Sequence, residues 1–99
     1  MKLFIDSADN LKTIVRLDKT EIVEKYQFPR QQMVLEVIEK ALKKKKAKLG
    51  DISEIEVNLG PGSFTGLRVG CTIANTLGWV LKVPINGNKI GELVEPNYS

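Results

Sequence analysis

Gly60-Pro61-Gly62-Ser63-Phe64-Thr65-Gly66-Leu67-Arg68-Val69-Gly70 is the stretch whose residue types and spacing could do chemistry. It sets four glycines in eleven residues between an alternating, partly β-branched segment, Ile55 to Leu59, and an apolar, small-residue run, Val69 to Leu81. That is the pattern of a strand–turn–helix junction. Glycine there permits positive φ and close backbone approach, and Pro61 fixes one φ. The junction leaves backbone N–H groups at a helix N-terminus, where anions or carbonyls can dock. Two generic phosphate loops do not fit. A Walker A loop needs Lys after its last Gly, and Leu67 follows Gly66; the dinucleotide fingerprint needs its third Gly three residues after the second, and 60, 62 and 66 miss that spacing by one. From the residues alone, a ligand-facing loop and a purely structural turn both stand, with Gly60, Pro61, Gly62, Ser63, Phe64, Thr65 and Gly66 as the candidate phosphate-binding signature.

The elements that must position this loop can be read along the chain. Leu3-Phe4-Ile5 is a short apolar run stopped by Asp6-Ser7, which suits a central strand. Leu11–Leu17 and Lys19–Tyr26 read as two further strands, joined by Asp18-Lys19 although neither is Gly or Asn. Pro29 stops extended structure, and a helix is predicted from about Gln31 to Lys48, ended by Gly50. Its apolar residues, Met33, Val34, Leu35, Val37, Ile38, Ala41 and Leu42, spread over an arc of about 200°. A helix on one sheet needs a stripe of roughly 100°, so the excess is expected to meet a second chain, with Leu35, Ile38 and Leu42 at the contact. The second helix, Phe64 or Thr65 to Leu81, repeats small residues every four positions: Gly66, Gly70, Ala74 and Gly78. Such a stripe lets another element approach closely; Ile73, Leu77, Val80 and Leu81 are expected in the core. Arg68 and Trp79 lie on the opposite, polar side, and a Trp there is either an interface anchor or one covered by the chain's own tail. Val83-Pro84-Ile85 is predicted as a fifth short strand. Residues 1–86 then form one lobe, and 87–99 a short tail without a core role.

Bulk properties narrow the function classes. Ninety-nine residues make one domain. No apolar run reaches the roughly 20 residues of a membrane span, and Met1-Lys2-Leu3-Phe4-Ile5-Asp6 reaches charge too early for a signal peptide. One cysteine excludes an internal disulfide, and the absence of histidine excludes an ordinary zinc site; a cytoplasmic protein is expected. The net charge of +3 is local: without Lys40, Lys43 to Lys46 and Lys48, 9 basic residues face 12 acidic ones, a remainder of −3. Those lysines are either a solubilising helix end that suits the helix dipole or a contact for an acidic partner or RNA phosphate.

The eleven-residue string resembles, nearly letter for letter, the signature of the TsaB (YeaZ) family, which assists threonylcarbamoyladenosine synthesis on transfer RNA. The resemblance covers almost the whole chain and is strong from about Ile55 to Pro84. It implies an α/β fold, one ribonuclease-H-like (actin-like ATPase) lobe of order βββαβαβ, with a mixed sheet and two helices. Family members carry two such lobes with nucleotide chemistry in the cleft between them, and this sequence covers the first, so the implied role is non-catalytic. Asp6 is where active members of the fold place a metal-linked carboxylate. The resemblance further implies pairing through the two helices with a TsaD-like protein or a second copy, at Leu35, Ile38, Leu42, Arg68, Gly70, Ala74 and Trp79. It implies a TsaE-like ATPase as a further partner, an indirect relation to transfer RNA, no membrane, and ATP or ADP only at a complex interface. Two rival functions remain: a homodimer forming a composite nucleotide site around Gly60–Gly66, and a basic transfer-RNA-binding module on Lys40–Lys48. The second lacks the aromatic platform of single-strand binders.

Overall fold

The computed structural model describes residues 1–28 and 33–97. It holds strands β1 (Lys2–Asp6), β2 (Lys12–Leu17) and β3 (Thr20–Lys25), helix α1 (Val34–Lys45), strand β4 (Glu54–Val57) and helix α2 (Phe64–Leu81). The sheet runs β3-β2-β1-β4, antiparallel at β3/β2 and β2/β1 and parallel at β1/β4. This is the expected mixed sheet with two helices. The fifth strand is reduced to one parallel bridge, Ile55 to Ile85. Pro29 and the predicted start of α1 near Gln31 lie outside the described residues; the helix ends earlier than Gly50, at a left-handed cap on Lys46.

Alternation decides which sheet face is covered. Leu3, Ile5, Val15, Leu17, Ile55 and Val57 are buried on one face, against α1 over β2 and β3 and α2 over β4 and β1. Lys2, Phe4 and Arg16 fall on the other face, where the Arg16 guanidinium sits 4.6 Å from the Phe4 ring centre and pairs with Glu21 at 3.1 Å. The β2–β3 turn works without Gly because Asp18, at φ 53°, belongs to the residue types that tolerate the left-handed region. Its carboxylate is anchored by the Lys2 N–H at 3.0 Å and by Lys45 Nζ at 3.4 Å.

Two expectations about the helices are corrected. In α1, Val34, Val37, Ile38 and Ala41 are buried within the monomer, and Leu42 is partly so. Ile38, only 2% exposed, has no surface left for a second chain. The wide arc is therefore mostly internal, with Leu35 as its exposed flank. In α2 the small-residue stripe is itself the core face: a Cβ on Gly70 would overlap Ser7 Oγ, and one on Gly78 would lie 2.6 Å from Ile85 Cδ1. The element that approaches closely is the chain's own β1 and bridge segment, so Gly70 and Ala74 are spent there. Val80, expected inside, is 58% exposed, because the helix descends on its glycines and turns that flank outward.

The tail is also corrected. Val94 is buried, and the Asn75 side chain accepts from Val94 N–H and donates to Val94 C=O, both at 2.9 Å. Asn86 does the same for the edge of β4: Val57 N–H donates to its Oδ1 at 2.8 Å, and its Nδ2 donates to Val57 C=O at 3.1 Å. Side-chain amides thus stand in for strand pairing, leaving fewer buried backbone groups without partners.

Candidate functional site

The glycine-rich loop joins β4 to α2 beside the end of β1. Ser63 caps α2, its Oγ accepting from Gly66 N–H at 3.3 Å, as expected of a Ser before a helix. Its own N–H donates to Ala8 C=O at 2.7 Å. Asn58 Oδ1 accepts from Gly60 N–H at 3.0 Å, while Asn58 Nδ2 donates to Asp6 Oδ1 at 3.1 Å. The same Asp6 oxygen accepts from Ala8 N–H at 3.0 Å. Below the loop, Ser7 Oγ donates to Gly66 C=O at 2.6 Å, fully buried. The loop is therefore sewn to the end of β1 at three points: Ser63 to Ala8, Asn58 to Asp6 and Gly66 to Ser7.

Gly60 and Gly62 each have a packing reason. A Cβ on Gly60, at φ 118°, would overlap Asn97 C=O, whose residue also donates its N–H to Leu59 C=O at 2.6 Å. A Cβ on Gly62 would come within 2.7 Å of the Ala8 Cβ. The Gly60–Pro61 peptide is cis. Phe64 and Thr65 are exposed at the helix start, and Arg68 stacks 5.4 Å from the Phe64 ring centre. Among the described residues, no cluster of three or more acids or cysteines could hold a metal ion, and one oxygen of Asp6, Oδ1, accepts from Ala8 and Asn58.

The residues expected at an interface separate cleanly. Ile38, Gly70 and Ala74 are inside the monomer, whereas Leu35, Arg68 and Trp79 are exposed and Leu42 is half-buried. Phe64, Arg68, Thr72, Thr76 and Trp79 form one outer ridge of α2. At its end Trp79, 74% exposed, shares a groove with Val80, Lys82 and Ile90. Ile90 and Leu93 were not singled out by sequence, and Phe64 and Val80 were assigned elsewhere, Phe64 to the loop signature and Val80 to the core. Ser7, Asn58 and Asn97 were missed as well. Only Asn58, two residues before a loop Gly, fits a recognisable Asx-turn pattern. No helix among the described residues is long and apolar enough to cross a membrane.

Comparison with known proteins gives a consistent picture. The model of the TsaD family, tRNA N6-adenosine threonylcarbamoyltransferase, matches residues 28–88. The uncharacterized MG208 homolog of Mycoplasma pneumoniae is 44% identical over 81 residues, covering 76% of this chain and 41% of that protein. The tRNA threonylcarbamoyladenosine biosynthesis protein TsaB of Bacillus subtilis is 56% identical over 36 residues, 36% of this chain and 16% of its own length. TsaB of Haemophilus influenzae is 32% identical over 78 residues, 79% of this chain and 33% of its own. In structure, YeaZ from Pseudomonas aeruginosa superposes with a TM-score of 0.69 at 21% identity over 85% of this chain and 42% of that one, which speaks to the fold. The chain spans less than half the length of these relatives.

Proposed function

The chain belongs to the TsaD family, among its TsaB-like members, and from that premise we propose that it is a non-catalytic subunit in tRNA threonylcarbamoyladenosine synthesis that docks on a TsaD-type protein through the outer face of α2. The observation that carries this reading is the exposed apolar cluster at the end of that face, Trp79 and Val80 beside Ile90, with exposed Phe64 at its start. An apolar patch of this kind marks an interaction site, and Trp is over-represented among the residues that dominate interface energies. Arg68, Thr72 and Thr76 lie on the ridge between Phe64 and Trp79 and give the face a polar middle that can hydrogen-bond to a partner.

The non-catalytic role is supported by the loop: Gly60 and Gly62 are taken up by packing, and Asp6 Oδ1 accepts hydrogen bonds from Ala8 and Asn58. ATP or ADP is then taken at the interface with the partner, and the TsaE-like ATPase acts on the assembled complex. The test is a pull-down and sizing experiment with the TsaD-type protein of the same source. The pair should co-elute, and Phe64→Asp with Trp79→Asp should abolish the complex while each variant still folds by circular dichroism, because both side chains are largely exposed. A complex that survives both substitutions would overturn the docking face.

A further inference from the structure

We propose that the pole of the molecule formed by the C-terminal end of α1 and the β2–β3 turn is a docking surface for the phosphate backbone of RNA. Lys43, Lys44, Lys46 and Lys48 are exposed there. The fold adds Lys19, because its neighbour Asp18 is held against Lys45 at 3.4 Å. None of these five lysines forms an ion pair among the described residues.

The ordinary explanation for lysines at a helix end is compensation of the helix dipole, an effect confined to the last turn. It covers Lys43, Lys44 and Lys45, which lie in that turn. It does not cover Lys46, which is the left-handed cap, or Lys48 beyond it. The acids at this pole are already occupied: Asp18 by the Lys2 N–H and Lys45, and Asp51 by the Lys48 backbone N–H at 2.9 Å. A surplus of positive charge therefore faces solvent.

The charge complements a polyanion whose charges repeat along a chain. Every member is Lys and none is Arg. Lys is a flexible point charge that follows a row of phosphates, whereas the Arg fork grips one carboxylate or phosphate in fixed bidentate geometry. No aromatic residue belongs to the cluster, so it reads the backbone and not the bases. The pole lies at the start of β1 and β4, opposite the glycine-rich loop at their ends and Phe64 at the start of α2. The inference draws on the proposed role only for the choice of transfer RNA as probe.

The experiment is fluorescence anisotropy with labelled transfer RNA at 50 and 200 mM KCl. Engagement of four phosphates predicts a log–log salt slope of about −2.8 to −3.6, a weakening of roughly 50- to 150-fold across that range. Replacing Lys43, Lys44, Lys46 and Lys48 by Glu should abolish binding, and replacing the four by Arg should retain it, with circular dichroism showing that both variants fold. Binding that is insensitive to salt or to the Glu substitutions would overturn the proposal. So would binding to polyglutamate with no binding to transfer RNA at 50 mM KCl, which would assign the patch to an acidic protein. Sizing with the TsaD-type protein in parallel separates the two ideas: a Glu variant that still forms the protein complex but loses RNA affects this surface alone.

Discussion

Replacing Gly70 by Ala should destabilise the domain, against the usual behaviour of a helix glycine. In an open helix interior the change gains about 1 kcal/mol. Here the new methyl would overlap Ser7 Oγ, while Ile5 Cγ2 and Ser7 Cβ, each 3.5 Å away, remain in ordinary contact. Relief requires moving that hydroxyl, which is buried and donates to Gly66 C=O at 2.6 Å. Leaving a buried hydroxyl unsatisfied costs about 1–3 kcal/mol, and lifting α2 off β1 instead costs a similar amount as overpacking. Set against the helix gain, and with the lost bond itself worth about 1 kcal/mol, the net loss is about 1–3 kcal/mol. In a domain of this size that lowers Tm by roughly 5–20 °C. Ser7→Ala alone should cost about 1 kcal/mol for the hydrogen bond. The double variant, Ser7→Ala with Gly70→Ala, removes the overlap and should be no less stable than Ser7→Ala by itself. Urea denaturation followed by far-UV circular dichroism gives the four free energies of the cycle. A stabilised Gly70→Ala, or a double variant whose loss is the sum of the singles, would refute the close approach of α2 to β1.

The remaining predictions concern the edge and the turn. Asn86→Gly keeps the left-handed backbone, φ 52°, but removes both amide bonds to Val57; it should cost about 2–3 kcal/mol and raise amide exchange at Val57, and unchanged exchange there would mean the side chain does not close β4. The Lys2 N–H, followed by Lys45, holds the Asp18 carboxyl below its ordinary range. Its contribution is complete above the unfolded pKa and lost as pH falls through the lowered folded value, so wild-type stability should fall more steeply in acid than that of Asp18→Asn. Parallel acid-side stability curves for the two proteins would contradict this.

The elements were legible because their signals are periodic and local. β1, β2 and β4 alternate, α1 repeats Val34, Val37, Ile38 and Ala41, and the eleven-residue string marks the junction between β4 and α2. What could not be read was which surface each apolar residue meets. The α2 stripe signalled close approach, but a glycine pattern does not say whether the approaching element is the chain's own strand or another molecule. Ser7, just beyond the end of β1, answers that, and it lies 63 residues upstream of Gly70. The 200° arc of α1 resolved in the same way, since the sheet and a flank of α2 together take more of it than one contact would. The tail was illegible for a different reason. Asn75, Asn86 and Asn97 hold it through single side-chain and backbone bonds, which have no periodicity. Polar, glycine-bearing sequence therefore read as free chain where it closes the edge of β4 and lies over Leu59 and Gly60.

The most direct test of the central claim is the mass in solution by light scattering, alone and mixed with the TsaD-type protein of the same source. The proposed role predicts a stable stoichiometric complex in the mixture, lost when Phe64 and Trp79 are replaced by Asp. A clean monomer under both conditions at tens of micromolar, on the order of the affinity that a weak but specific interface supplies, would contradict it.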